Sequence, residues 1–231
     1  MPVRAILFDA YGTLFDVYSI GALAERFYPG KGAQLAELWR DKQIQYSQLR
    51  TLCSTYKPFW EITQDALVFA CRKLGLELDL EAQNTMMGQY AKLQAFPENL
   101  AALRQLKQAG MKMAILSNGN PEMLAAAVQN AGMDGLFSHV LSADAVRKFK
   151  TAPEAYQLGT DMLGLAARDI LFVSSNGWDI CGASWFGYKT FWVNRADAPM
   201  EELGVTPSGQ ARLLSDLPSF VDADGRRGAT R

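Results

Sequence analysis

The 231-residue sequence contains a single histidine, His139. This scarcity excludes a metal centre built on several imidazoles. It also leaves a Ser-His-Asp triad only one possible base, and no Gly-x-Ser-x-Gly segment is present to carry the serine of such a triad. Cysteine is nearly as rare. Cys53, Cys71 and Cys181 are odd in number and far apart, with no Cys-x-x-Cys. That pattern argues against a disulfide framework or a thiolate zinc site, and for reduced thiols in a cytoplasmic protein. Neither sign of charge is in excess: 23 Lys and Arg face 24 Asp and Glu. A nucleic-acid binder would carry a basic footprint, so no nucleic-acid partner is expected. No apolar run reaches the roughly 18 residues of a membrane span. The apolar N-terminal stretch is cut by Asp9, too early for a signal-peptide core. No membrane partner is expected.

What the chain does have is an ordinary globular composition, 49% hydrophobic and 20% charged. Such a composition and length build one large domain, or one domain with a second lobe inserted. Val3 to Phe8 is a short, nearly continuous apolar run, the signature of a parallel strand buried on both faces. MAIL at 113–116, HVL at 139–141, ILFV at 170–173 and KTFWV at 189–193 give further strands, KTFWV the last. Helical patterns separate them. Pro97, Pro121 and Pro153 suit helix first turns, and Gly110 and Gly132 suit helix ends. Between Asp16 and Ala95 the sequence holds polar, helical segments with scattered aromatics and no convincing strand. Leu35, Leu38 and Trp39 recur at helical spacing, as do Leu67, Ala70 and Leu74, with Gly75 placed as a C-cap. Several short helices are expected there. The tail ADGRRGATR offers nothing for a core and is expected to fray. Strands alternating with helices predict an α/β fold, a Rossmann-like doubly wound parallel sheet. Residues 1–15 and 96–231 would form this core domain, with 16–95 inserted as a helical cap subdomain.

In open α/β sheets, ligands bind beyond the carboxyl ends of the strands. The residues that follow the predicted strands are Asp9-Ala10-Tyr11-Gly12-Thr13, Ser117-Asn118-Gly119-Asn120, Arg147-Lys148-Phe149-Lys150 and Ser174-Ser175-Asn176-Gly177-Trp178-Asp179. Carboxylates, small polar groups and a lysine thus converge on one rim.

These four segments, FDAYGTLFD, ILSNGN, VRKFK and VSSNGWD, resemble the four ordered motifs of the haloacid dehalogenase (HAD) superfamily, over the whole chain. In detail they resemble its L-2-haloacid dehalogenase family. Phosphatase branches usually carry Asp-x-Asp in the first motif and an acidic pair in the fourth; here Tyr11 replaces the second Asp and the fourth motif reads Ser-Ser-Asn-x-Trp-Asp. Mg²⁺ prefers carboxylate oxygens, so these replacements suit a monoanionic substrate with Lys150 as counter-charge, and no metal or cofactor is expected. The lysine is followed by Thr151 where the family usually has proline.

The resemblance implies hydrolysis of short (S)-2-haloacids to (R)-2-hydroxy acids plus halide, with the 2-halocarboxylate and halide as ligands. Asp9 is the nucleophile: a carboxylate is ionised at neutral pH and needs no base to attack sp³ carbon. Lys150 faces Asp9 and the substrate carboxylate, a contact of roughly 4 kcal/mol before desolvation. Thr13 orients Asp9. Ser117 and its neighbouring amides, with Asn118, hold the substrate carboxylate. Ser174, Asn176 and Asp179 place the hydrolytic water, with Asp179 as general base. By resemblance, Arg40, Asn118 and Trp178 receive the halide. Tyr11, Ile44, Phe59 and Trp178 wall the substrate's α-substituent, and Tyr156 steadies the Lys150 region through its hydroxyl. His139 sits at a strand end near the surface with no catalytic role. The family also implies a homodimer. Competing readings are a Mg²⁺-dependent phosphatase, a hydrolase opening a strained-ring acid, and a non-catalytic binding relative.

Overall fold

The computed structural model describes residues 3–90 and 92–229, the side chains of 226–229 excepted. Six parallel strands make one sheet in the order β3-β2-β1-β4-β5-β6. They are β1 Ala5–Phe8, β2 Lys112–Ser117, β3 His139–Ser142, β4 Ile170–Ser174, β5 Lys189–Val193 and β6 Gly209–Ala211. All four residues of β1 are buried, as a central strand covered on both faces requires. The chain moves outward from β1 to β3, then returns to the other side of β1 with β4. The switch point therefore lies between β1 and β4, where crevices open in such sheets.

Register fixes what meets there. Phe8 pairs with Val173 and with Ile115. Asp9 follows directly, its amide donating to the Val173 carbonyl at 2.9 Å. Ser174 ends β4 and Ser117 ends β2, so three polar side chains emerge at one edge of an otherwise apolar sheet.

The helices that flank the sheet are α5 Asn99–Gln108, α6 Pro121–Asn130, α7 Pro153–Leu163, α8 Gly177–Phe186 and α9 Leu217–Ala229. Proline opens both α6 and α7, where its missing N–H costs nothing. Between β1 and α5 come α1 Ile20–Phe27, α2 Gly32–Leu52, α3 Phe59–Leu74 and α4 Leu80–Tyr90. Gly75 closes α3 in the left-handed conformation at φ 68°, as expected of a C-cap. Both connections to this helical layer are tied together: Phe15 bridges Ala95 and the Asp16 amide donates to the Gln94 carbonyl.

Three expectations need correction. The inserted helices are not all short, because α2 runs for 21 residues. Its buried face includes Gln43 and Ser47, which dilutes the apolar period that reveals helix length. KTFWV is not the last strand, since β6 follows it; GQA is a half-exposed edge segment with no apolar signature. The tail is not frayed from residue 223, because α9 continues to Ala229. Asp224 ties it down, accepting from the Val3 amide at 3.0 Å and pairing with Lys189 at 3.0 Å. His139 opens β3 and contacts the Ser138 hydroxyl.

Candidate active site

Asp9 is 6% exposed at the end of β1. Its Oδ1 accepts from the Lys150 ammonium at 2.9 Å. Its Oδ2 accepts from the Thr13 hydroxyl at 2.8 Å, the Asn176 amide at 2.9 Å and, longer, the Ser174 hydroxyl at 3.4 Å. The carboxylate is therefore held at both oxygens and cannot swing. Thr13 is itself fixed, because the Ser175 amide donates to its hydroxyl oxygen at 2.8 Å. The tight loop that follows β1 brings Thr13 back over Asp9, with Leu14 and Phe15 amides both donating to the Ala10 carbonyl.

Lys150 is fully enclosed, 1% exposed, and its ammonium sits between two carboxylates at 2.9 Å from Asp9 Oδ1 and 2.9 Å from Asp179 Oδ2. It also stands 4.9 Å from the centre of the Phe172 ring. Burial opposes its charge, but Asp179 and Asp9 outweigh burial and raise its pKa. The lysine backbone is anchored by the Asn118 side chain, which accepts from the Lys150 amide at 2.9 Å. The Lys150–Thr151 peptide is cis.

Asp179, on the first turn of α8, is completely buried. Burial pushes its carboxyl up to about 6, with Lys150 pulling the other way and Asp9 adding to the rise. Its Oδ1 accepts from the Tyr156 hydroxyl at 2.7 Å. Tyr156 thus reaches the Lys150 region through Asp179, the partner of the lysine ammonium. Desolvation and the adjacent Asp179 push the Tyr156 phenol well above its usual range, so it stays a donor. With two carboxylates and one ammonium, the buried trio carries one negative charge in excess.

A cleft of about 380 Å³ opens beside this centre, its lining including Arg40, Ile44, Asn176, Trp178, Trp192 and Arg195. Arg40 reaches across from α2, donating to the Tyr11 carbonyl at 3.1 Å and to Gln43 Oε1 at 2.6 Å. Arg40, Ile44 and Trp178 are brought together here, as the sequence reading expected. Asn118 does not line this cleft; its side chain serves Lys150. Ser117 is buried and its hydroxyl accepts from the Gly119 amide at 3.2 Å, closing the turn after β2.

Tyr11 and Phe59 lie deeper, in an aromatic cluster with ring centres 6.3 Å apart. Tyr11 packs on Gly119, where a Cβ would stand only 2.6 Å from the Tyr11 ring, so that position demands glycine. The Tyr11 hydroxyl is buried without a hydrogen-bond partner. Burial first, then Tyr90, raises its pKa, while Arg40 lowers it. A buried orphan hydroxyl costs about 1–3 kcal/mol, which a ligand accepting its proton would recover.

Sequence reasoning missed several supporting residues. Ser175, beside the expected Ser174 and Asn176, fastens Thr13 through its amide and hydroxyl. Asn99 donates to the Thr13 and Leu14 carbonyls, each at 3.0 Å. Arg195 donates to the Thr13 carbonyl at 3.2 Å and to Asn99 Oδ1 at 3.1 Å, pairs with Glu98 and stacks over Phe96 at 3.9 Å. Neither Asn99 nor Arg195 lies in a segment that follows β1, β2 or β4. Among the described residues, no cluster of three or more His, Cys, Asp or Glu side chains could hold a metal ion.

The sheet, its rim of convergent polar groups and the helical layer over it define a Rossmann-like α/β hydrolase. A sequence model of the haloacid dehalogenase-like hydrolases matches residues 3–187, and the chain belongs to that family. It is 44% identical over 212 residues to an (S)-2-haloacid dehalogenase of Pseudomonas sp. (strain YL), covering 92% of this chain and 91% of the relative. A solved L-2-haloacid dehalogenase superposes with a TM-score of 0.94 at 55% identity, over 96% of this chain and 100% of the other. The L-2-haloacid dehalogenase from Xanthobacter autotrophicus with chloropropionic acid covalently bound superposes at 0.88 with 39% identity, over 95% and 98%.

Proposed function

We propose that the protein hydrolyses (S)-2-haloacids to (R)-2-hydroxy acids and halide through an ester on Asp9. One observation carries this reading: the Lys150 ammonium is locked between Asp9 and Asp179 at 2.9 Å from each. A lysine there supplies the positive charge that draws a carboxylate substrate to a carboxylate nucleophile. The names of the relatives, and the covalently occupied Xanthobacter structure, support the same chemistry.

In the first step an Asp9 oxygen bonds to C2 as the carbon–halogen bond breaks, and the electron pair leaves with the halide. Attack from the opposite face inverts the centre. Thr13, Asn176 and Ser174 hold the carboxylate so that little reorganisation accompanies attack. Arg40 and Trp178 receive the departing halide, while Asn118 holds the Lys150 backbone. Two donors of the Arg40 guanidinium are engaged by Gln43 and Tyr11, and the halide takes up the others. Ile44, Phe59, Tyr11 and Trp178 enclose the α-substituent, and the unpaired Tyr11 hydroxyl donates to the bound ligand. Ser117 and its neighbouring amides hold the substrate carboxylate with Lys150.

In the second step water attacks the Asp9 carboxyl carbon, and the bond to the alkyl oxygen breaks. The water's proton passes by way of Asp179 toward the departing alkoxide, which leaves as the hydroxy acid. A pKa raised toward neutrality suits Asp179 to this relay. Tyr156 keeps Asp179 in place.

Residues 1–15 and 96–231 serve as the core domain and residues 16–95 as a cap that closes the site. The family resemblance, with exposed Leu49 and Leu52 on α2, supports a homodimer. The unpaired cysteines support a cytoplasmic location. Chloride release from (S)-2-chloropropionate with formation of (R)-lactate tests the activity; turnover of phosphate monoesters in its place would overturn it.

A further inference from the structure

We propose that Gln43 and Thr63 are positioning residues that aim the Arg40 guanidinium at the halide; the inference rests on the assignment of Arg40 made above. Both side chains are wholly buried, 0% exposed, inside the helical layer. Buried polar side chains away from the reacting atoms are costly unless each partner is satisfied, and here they form an unbroken line. Arg40 donates to Gln43 Oε1 at 2.6 Å, Gln43 Nε2 donates to the Thr63 hydroxyl at 2.6 Å, and that hydroxyl donates to the Phe59 carbonyl at 2.8 Å.

Only one orientation of the Gln43 amide works. Arginine has no acceptor, so the amide oxygen must face it. The Thr63 proton is committed to Phe59, so its oxygen must receive the amide N–H. Each link therefore dictates the next, and the line ends on the backbone of α3. The Thr63 carbonyl is fixed in turn by the Trp39 indole at 2.7 Å, joining α3 back to α2 one residue before Arg40. A long, flexible arginine is thereby confined to one plane. The confinement matters because halide charge develops only in the transition state, where preset donors contribute most.

The test uses the full-length protein, with bromide as an added inhibitor of (S)-2-chloropropionate turnover. Thr63→Val keeps the shape and removes the acceptor. Gln43→Met/Thr63→Val removes both polar partners of the line and frees the Arg40 donor that Gln43 held. Each variant is assayed well below its own thermal transition. Either change is expected to weaken bromide inhibition about tenfold and lower kcat about tenfold with KM little changed, the size of a lost hydrogen bond to a charged group. Thr63→Ser, which restores the hydroxyl, should restore both quantities. In an Arg40→Ala background Thr63→Val should add nothing. If Arg40→Ala weakens bromide inhibition and slows turnover while neither relay variant does, the relay is wrong and the Arg40 assignment survives. The relay is equally wrong if Thr63→Val costs as much without Arg40 as with it. If Arg40→Ala itself changes neither quantity, the assignment falls and takes the inference with it.

Discussion

Asp9 and Lys150 lie 141 residues apart in sequence and 2.9 Å apart in space. The contact joins the end of β1 to the segment between β3 and α7, and it has no solvent to screen it. An exposed ion pair contributes little to stability. A buried one is different, because removing one partner strands the other charge.

Asp9→Ala should leave the fold intact and reduce halide release by more than about a thousandfold, the scale of losing a nucleophile. Asp9→Asn should do the same, since an amide is a poor nucleophile and a near-isostere. The chemical assay, with circular dichroism as the folding control, checks both. Retained turnover in a purified Asp9→Ala protein would be fatal to the mechanism.

Lys150→Met leaves Asp9 and Asp179 facing each other without a cation. Urea unfolding at neutral pH should show a loss of about 3–5 kcal/mol along with loss of turnover. Adding Asp179→Asn should recover part of that stability and none of the activity. Equal stability of Lys150→Met and the parent would mean that the buried pairing is absent in solution.

Turnover should fall as acid is added through about pH 6, where Asp179 takes up a proton. The sign follows from its role: the ionised carboxylate holds Lys150 and relays the proton of the water, and the neutral acid does neither. Tyr156 stabilises the charged form through its hydroxyl, so Tyr156→Phe should move the acid limb to higher pH. On the alkaline side, Lys150 keeps its proton beyond the usual lysine value, because its raised pKa delays the loss. A kcat/KM profile for parent and Tyr156→Phe reads these effects; an unmoved acid limb in the variant would contradict the Asp179 assignment.

Much of the core was legible because its signals are strong and local. The buried strands β1, β2 and β4 are unbroken apolar runs, and the prolines at α6 and α7 mark their starts. Lys150 was legible only through motif order, since composition alone cannot separate a buried lysine from a solvated basic run. The helical layer was less readable. Gln43 faces inward on a helix whose exposed side is equally polar, so no period distinguishes it from its neighbours. Arg195 was invisible for a related reason: it lies after β5, and its importance arises only from folding back onto Thr13. The short β6 lacks the apolar alternation that announces a strand, because half-exposed edge residues need none.

By this mechanism water attacks the Asp9 carboxyl carbon and never the substrate carbon. A single turnover in ¹⁸O-labelled water, with enzyme in excess over (S)-2-chloropropionate, tests it directly. Mass spectrometry of the peptide containing Asp9 should show one ¹⁸O in its carboxylate, and the lactate should carry unlabelled oxygen. Label in the lactate with none on Asp9 would contradict the account.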